Sequence, residues 1–290
     1  MDTVAKVSYQ TVLFLGLAAF ISYHTSHELV YWFAWLGSIQ VFNAAAVYLP
    51  PPLASLIHWV HAMTFEVMAF FGAICLRFIP RNDKAYGKGK PILLVHGYVH
   101  NAAVWVFHKK RLEAMGLGPV YTVSLRHPFN PIEFYAEILK KKVEAIAKET
   151  ARNDLILIGH SMGGLVSAEY ATRLAPPNTV TDVITLGSPW AGTPLARVAI
   201  GENAREMEPH STYLEKLKRD LIEHKEIRFC QVATKRDQIV IPGTSAALKN
   251  YEHFILEDVG HVSLLYSQRV SKKILAWCAK ETPSERCSLN

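Results

Sequence analysis

The middle of the 290-residue chain contains the stretch Asp154-Leu-Ile-Leu-Ile-Gly-His-Ser-Met-Gly-Gly164. Its apolar first half predicts a buried strand. Gly159, Gly163 and Gly164 are small enough for a sharp turn that leads straight into a helix. A serine at such a strand–turn–helix junction stands above the sheet, at the positive end of the helix dipole. Ser161 is therefore the candidate nucleophile.

Apolar strands and amphipathic helices alternate on both sides of this stretch. Strands are predicted at 91–95, 120–125, 154–158, 183–186, 227–233 and 253–257, and helices near 105–115, 131–152, 163–174 and 260–279. This alternation is typical of an α/β protein, in which helices cover both faces of a parallel sheet. Sites in such folds lie at the carboxyl ends of the strands.

A serine hydroxyl needs a base, and the base needs a carboxylate to orient it. His261 follows the last predicted strand and is the candidate base. Asp237 lies in the loop after the preceding strand, which fits the chain order serine, acid, histidine. Asp258 is the competing acid, but a side chain only three residues from His261 would have difficulty reaching the far ring nitrogen. The predicted catalytic residues are therefore Ser161, Asp237 and His261.

An oxyanion intermediate also needs two backbone N–H donors. One is expected from Met162, directly after the nucleophile, and the other from the loop after the first strand. That loop begins His96-Gly97-Tyr98, so the Tyr98 amide is the predicted donor, while the Tyr98 side chain could instead line an acyl pocket. His96 and His160 flank special turns, and we expect structural roles for both.

Five motifs in this order resemble the α/β-hydrolase superfamily, and within it the bacterial-type triacylglycerol lipases and related esterases. They are Val95-His-Gly-Tyr98, Gly159–Gly164, Leu186-Gly-Ser-Pro-Trp-Ala-Gly-Thr-Pro-Leu-Ala196, Asp237-Gln-Ile-Val-Ile-Pro242 and Gly260-His261. The resemblance implies an α/β-hydrolase fold over about residues 90–280 and hydrolysis of carboxylic esters, often of lipids, through an acyl-enzyme. The segment at about 189–226 is short for a lid, so only a small cap is expected.

The first quarter of the chain has a different composition. Residues 1–80 carry two Lys or Arg and three Asp or Glu, and contain apolar runs at 7–23, 29–49 and 53–76. A bilayer-crossing helix needs about 20 apolar residues. We expect a membrane-anchoring helical region at 1–80 with two or three segments, a linker at 81–90, the catalytic domain at 91–280 and a flexible tail at 281–290. A cleaved signal peptide or a buried helical domain is the alternative.

The run at 53–76 contains His58, His61 and Glu66, which are costly in hydrocarbon. It therefore crosses the membrane, lies in the interface, or packs on the catalytic domain. Cations at 77–90 follow it closely, and the positive-inside rule would place the downstream domain on the cytoplasmic side.

Charge and cysteine content exclude several other classes of function. The net charge is +6, but the cations are interspersed with anions and form no basic stripe, so nucleic-acid binding is not expected. Four scattered cysteines show no metal-ligand spacing, and neither metal nor cofactor is predicted. The expected function is a membrane-anchored serine ester hydrolase acting on an acyl lipid or another ester. An acyltransferase or thioesterase with the same triad, or a non-catalytic membrane interaction protein, is the alternative. The sequence leaves the oligomeric state open.

Overall fold

The computed structural model describes residue 38 and residues 48–76 and 84–279. The run predicted at 7–23, nearly all of the run at 29–49 and the tail at 281–290 lie outside the described residues. The chain divides into two compact units, Met1–Phe65 and Glu66–Asn290.

Six strands form a single sheet in the second unit, in the order β2-β1-β3-β4-β5-β6. Every neighbouring pair is parallel, which confirms the α/β prediction. The strands are β1 (Ile92–Val95), β2 (Val120–Val123), β3 (Leu155–His160), β4 (Val180–Leu186), β5 (Arg228–Thr234) and β6 (Glu252–Leu256). Because all strands run the same way, the loops after β1, β3, β4, β5 and β6 meet at one edge of the sheet.

Both faces of the sheet are buried. The four residues of β1 alternate between two hydrophobic cores: Leu93 and Val95 belong to one, Ile92 and Leu94 to the other. This period of two is the reason that a central strand of a doubly covered sheet is apolar throughout.

Helices cover the two cores. They are α1 (Pro51–Leu76), α2 (Val106–Ala114), α3 (Ile132–Thr150), α4 (Met162–Glu169), α5 (Glu202–Glu206), α6 (Thr212–Glu223) and α7 (Gln268–Cys278). The first core packs α3, α4 and α6, through side chains such as Leu139, Leu165 and Leu217. The second packs α2 and α7, through Leu112 and Ile274.

Two predicted helices differ from the structure. The helix expected at 163–174 begins at Met162 and changes at Tyr170 into a π-helical turn that ends at Leu174. The closing helix expected at 260–279 is interrupted: a 3₁₀ turn, Val262–Leu265, precedes α7. Periodicity alone missed this break, because apolar residues continue through it.

Among the described helices, α1 is the one long and apolar enough to cross a membrane. A helix with this length and composition is also found as a core helix or a signal sequence. In the second unit, Ala69 and Ala73 pack into the second core, whereas Val67, Phe70, Phe71 and Ile74 are exposed. The part of α1 after residue 65 therefore packs against the sheet domain through the second core, one of the arrangements left open by the sequence.

Candidate active site

Ser161 occupies a strained turn at the carboxyl end of the central strand β3. Its φ and ψ are 55° and −128°, in a region that costs a non-glycine residue about 1–3 kcal/mol. The Ser161 N–H donates to the Leu186 carbonyl at 2.8 Å, and its carbonyl accepts from the Gly164 N–H at 3.0 Å. The turn is thus held from both sides, with α4 beginning at the next residue.

Glycine is needed at several positions around Ser161 because backbone atoms of other segments lie where a side chain would begin. A methyl group on Gly159 would overlap the Gly163 carbonyl, and one on Gly163 would overlap the Val95 carbonyl. A methyl carbon on Gly97 would lie 2.8 Å from the Cβ of Ser161. The loop after β1 therefore contacts the nucleophile turn directly.

Asp237 and His261 form a buried hydrogen-bonded pair. Nδ1 of His261 lies 2.8 Å from Oδ2 of Asp237. The other carboxylate oxygen, Oδ1, accepts from the N–H groups of Ile239 at 2.9 Å and Val240 at 2.7 Å. The loop backbone thus fixes the carboxylate and leaves one oxygen for the imidazole.

The end of β4 lies against this pair. A Cβ on Gly187 would be 3.2 Å from Nδ1 of His261 and 3.3 Å from Oδ2 of Asp237, and the φ of Gly187 is +59°. Since β4 neighbours β3, the pair lies beside the strand that carries Ser161. Glycine is required at 187 by both the space and the backbone conformation.

The protonated form of His261 is favoured by its neighbours. Burial alone would lower the pKa of the imidazole, but the Asp237 carboxylate and, to a smaller extent, Glu66 outweigh burial and raise the pKa above the usual 6.5. This environment stabilises the imidazolium that forms when a base takes a proton from serine.

His160 links the nucleophile turn to the loop that carries His261. Its Nε2 donates to the His261 carbonyl at 3.0 Å, and the two rings lie 4.7 Å apart between centroids. Burial, reinforced by His261, holds the pKa of His160 well below 6.5, so this ring is neutral. The structural role expected for His160 is therefore one of joining the two loops.

The predicted oxyanion donors flank Ser161. Met162 is the first residue of α4, and the first N–H groups of a helix have no intrahelical acceptor. Tyr98 follows Gly97 in the loop that touches Ser161. His96 holds that loop, because its Nδ1 donates to the Gly97 carbonyl and its Nε2 accepts from the Leu125 N–H, each at 2.8 Å.

The Tyr98 side chain ties this loop to the cap. Its hydroxyl donates to the Ile200 carbonyl at 2.7 Å and accepts from the Ile200 N–H at 3.3 Å. From the same segment, Asn203 donates to the Pro128 carbonyl at 2.8 Å and lies 3.3 Å from Sδ of Met162. The cap therefore contacts both residues predicted as oxyanion donors, Tyr98 in the loop after β1 and Met162 at the start of α4.

The competing acid is engaged elsewhere, because Asp258 pairs with Arg269 at 2.6 Å. Exposed His253, at the start of β6, contacts the Tyr251 carbonyl. In the part of the chain that the structure describes, no group of three or more His, Cys, Asp or Glu residues is arranged to hold a metal ion.

Glu66 is the residue near the site that sequence reasoning missed. The sequence marks it only as a costly charge in an apolar run, but its carboxylate accepts hydrogen bonds from Val262 and Ser263, directly after His261. One signal was available: Glu66 is the single Asp, Glu, Lys or Arg in residues 29–76. A single carboxylate in so apolar a helix is expected to have a hydrogen-bond partner, because burying an unpaired charge is costly.

The comparison with known families agrees with the resemblance. A model described as the alpha/beta hydrolase family matches residues 92–236. The chain belongs to the alpha/beta hydrolase family. The match runs from β1 through β5 and includes the Ser161 turn.

Individual relatives are distant. The pimeloyl-[acyl-carrier protein] methyl ester esterase of Vibrio campbellii is 30% identical over 117 residues, covering 38% of this chain and 44% of that protein. The chain thus spans less than half the length of this curated relative.

Solved structures share the fold. The mature Bacillus licheniformis lipase BlEst2 superposes with a TM-score of 0.57 at 15% identity, covering 69% of this chain and 95% of that chain. Aspergillus fumigatus lipase B superposes with a TM-score of 0.59 at 18% identity, covering 72% of this chain and 57% of that chain. At these identities the likeness shows the fold, and the function must be argued from the site.

Proposed function

We propose that this protein is a serine hydrolase that cleaves carboxylic esters of acyl lipids. The observation that carries the proposal is the combination of Ser161 in a strained turn with the buried Asp237–His261 pair, joined through His160. Neither the turn nor the Asp–His pair would indicate a hydrolase by itself, because glycine-rich turns and buried Asp–His pairs also occur as structural features.

The proposed roles give each residue one step of the reaction. The Oγ of Ser161 attacks the acyl carbon while Nε2 of His261 takes its proton, and the tetrahedral oxyanion is held by the N–H groups of Tyr98 and Met162. The ester C–O bond then breaks, and the alcohol leaves with the proton from His261. Water, deprotonated by His261, then attacks the acyl carbon; the bond to Ser161 Oγ breaks, His261 returns the proton to Oγ, and the carboxylic acid leaves.

An acyl lipid is favoured by the apolar surface of the cap segment. Val198 and Ile200 are 83% and 68% exposed, and Leu195 is also exposed. Ile200 carries the backbone groups that hold Tyr98, so this apolar segment is fastened to a loop beside Ser161. Exposed apolar residues near a reaction centre suit a water-insoluble substrate.

Membrane anchoring is part of the same proposal. The apolar composition of residues 1–80 and the outward face of α1, with Val67, Phe70, Phe71 and Ile74 exposed, support it. The cations that follow α1 favour a cytoplasmic catalytic domain. Carbonate extraction tests the anchoring, and protease digestion of sealed inside-out vesicles, which expose the cytoplasmic face, tests the orientation. Release of the protein by carbonate contradicts the anchoring, and protection of the catalytic domain in inside-out vesicles contradicts the orientation.

Fluorophosphonate labelling tests the reaction directly. Detergent-solubilised protein is compared with Ser161→Ala and with heat-denatured protein. Labelling that needs both the native fold and Ser161 supports an activated serine. Hydrolysis of p-nitrophenyl esters of increasing acyl length, with phospholipid and acylglycerol substrates, then defines the acyl group. An unlabelled, folded wild-type protein that cleaves none of these esters contradicts the proposal and favours a non-catalytic membrane protein.

Methyl ester hydrolysis is a second candidate, favoured by the similarity to the Vibrio campbellii methyl ester esterase. It uses the same residues and releases methanol. A series of methyl esters of mono- and dicarboxylic acids, free and linked to acyl carrier protein, separates it from lipid hydrolysis. Product analysis with added alcohol or thiol acceptors shows whether water or another acceptor takes the acyl group, as a transferase would require.

A further inference from the structure

A buried carboxylate on the apolar helix α1 contacts the loop that carries His261. Oε1 of Glu66 accepts from the Val262 N–H at 2.6 Å. Oε2 accepts from the Ser263 N–H at 3.0 Å and from the Ser263 hydroxyl at 2.9 Å. Glu66 is 9% exposed, so these bonds are made away from bulk water.

Two of these bonds, from the N–H groups of Val262 and Ser263, cap the 3₁₀ turn that begins directly after His261. His261 is the N-cap residue of that turn, and its side chain makes no capping bond. Ser, Thr, Asp and Asn are the residues whose side chains usually cap from this position. Here the carboxylate of Glu66 takes the first two N–H groups of the turn, while the His261 imidazole pairs with Asp237.

The loop around His261 is shaped to receive Glu66. A methyl group on Gly260 would overlap the Glu66 carboxylate, so only glycine leaves room for it there. Gln238 accepts from the His261 N–H at 3.3 Å, and His160 donates to the His261 carbonyl at 3.0 Å. The His261 backbone is thus held from the β3 and β5 loops, and the turn after it is held from α1.

We propose that Glu66 is a positioning residue for His261, through which the packing of α1 sets the orientation of the base. The inference rests on the proposed function, since it concerns the same histidine. Its consequence is that disturbance of this helix would act on catalysis although α1 touches no reacting atom.

The basicity of His261 depends on a small set of facing groups. Asp237 faces it from the loop after β5, neutral His160 from the end of β3, and Glu66 from α1. Removing the Glu66 charge while Asp237 stays in place should therefore lower the His261 pKa. A role of Glu66 limited to folding would lower stability but leave that pKa unchanged in the molecules that fold.

The test compares Glu66→Gln with the wild type in the full chain. The pKa of His261 is followed by NMR of protein labelled at histidine Cε1, with the His261→Gln spectrum assigning its signal among the 13 histidines. Hydrolysis of a short p-nitrophenyl ester gives kcat and KM on the same preparations. We expect His261 to titrate at lower pH and kcat to fall about tenfold with little change in KM, because misorientation affects the chemical step more than binding.

Glu137→Gln is the matched control, since it makes the same chemical change at an exposed position of α3. It should behave as the wild type in both measurements. A wild-type His261 pKa and kcat in Glu66→Gln overturn the proposal, as does an equal change in Glu137→Gln.

Two further variants guard against misfolding of Glu66→Gln. Glu66→Asp keeps the charge but withdraws it by one methylene, and Ser263→Ala removes one of the three bonds. Both should lower kcat, and Ser263→Ala should add little to the effect of Glu66→Gln where the double variant folds. If both leave kcat and the His261 pKa unchanged, the proposal is wrong.

The two proposals fail in different ways. A wild-type protein that neither labels with fluorophosphonate nor cleaves esters contradicts the proposed function. The NMR titration of His261 still decides whether Glu66 acts on it, because that measurement needs no turnover.

Discussion

Nδ1 of His261 lies 2.8 Å from Oδ2 of Asp237, although the two residues are 24 positions apart in the chain. Strand β6 and the loops on either side of it separate them, and the parallel sheet brings them together at its carboxyl edge. The second oxygen of Asp237 is held by two backbone N–H groups. One tautomer of neutral His261 is therefore favoured, with the proton on Nδ1 and none on Nε2.

Asp237→Asn should lower kcat by about 10³–10⁴-fold, because an amide can stabilise the wrong tautomer and cannot stabilise the imidazolium. Steady-state ester hydrolysis measures the loss, and thermal unfolding checks that the variant is folded. Asp258→Asn is the matched control, since Asp258 pairs with Arg269, and its kcat should stay within about threefold of the wild type. Equal losses in the two variants would contradict the assignment of Asp237.

The acid limb of the pH profile should lie above the usual histidine value. Burial opposes the charged imidazole, but Asp237 and Glu66 together raise the pKa of His261 above 6.5. The base acts in its neutral form, so kcat/KM should rise with pH through that raised pKa. The effect on stability has the opposite sign. The stabilisation that protonated His261 gives the folded state is complete below pH 6.5 and is lost as pH rises through the pKa of the folded state. A midpoint below 6.5 would contradict this electrostatic picture.

Ser161→Gly should be more stable than Ser161→Ala by about 1 kcal/mol. The φ of 55° and ψ of −128° strain any side chain at 161, whereas glycine adopts them freely. The larger entropy of glycine in the unfolded chain offsets part of this gain. Urea unfolding of both variants measures the difference, and neither should label with fluorophosphonate. An alanine variant as stable as the glycine variant would mean that the turn stores no strain.

Gly159→Ala should lower the free energy of unfolding by about 3 kcal/mol and abolish labelling, because its methyl group meets the Gly163 carbonyl, which has no room to move. Gly72→Ala is the control in α1, where the nearest atom to the added carbon is the Tyr266 hydroxyl at 3.9 Å. It should be neutral or stabilising by up to about 1 kcal/mol. A Gly159→Ala protein that labels normally would rule out the close approach at this turn.

His108→Gln should make the protein more tolerant of acid. Burial is the main reason that the pKa of His108 is lowered to about 4, and the nearby Arg111 adds to it, while a bond to the Leu264 carbonyl opposes them. Between pH 6.5 and 4 the unfolded chain binds a proton that the folded chain does not, so stability falls as pH drops. The cost is about 3 kcal/mol by pH 4.

Glutamine keeps a donor for the Leu264 carbonyl without the titrating ring. Denaturant unfolding at several pH values should therefore show a shallower loss of stability in His108→Gln. Substitution of the exposed His253 by Gln should leave the wild-type slope unchanged. His160, whose pKa burial also lowers, should retain part of the slope in both variants. An unchanged slope in His108→Gln would mean that the ring is not held neutral by burial.

Much of the fold could be predicted because its signals are local. The apolar run before Gly159 and the periodic apolar positions of Ile132–Thr150 each specify an element within a few residues, and all six strands lie where they were expected. The break between Val262–Leu265 and α7 could not be read, since both parts are apolar on their buried side. The order of the strands also needs tertiary information, because local patterns carry no record of which strands are neighbours.

The sequence by itself determined which residues are chemically able to act. Ser161 stands in a turn that only small neighbours permit, and His261 and Asp237 each follow a strand. Only the tertiary structure shows the contacts between them: the 2.8 Å approach of Asp237 to His261 that chain order had predicted, the His160 hydrogen bond between the two loops, and the Glu66 carboxylate on the turn after His261. The reason is physical. The ends of strands can be recognised from short-range sterics and periodicity. Hydrogen bonds between residues up to 197 positions apart form only once the two cores have packed.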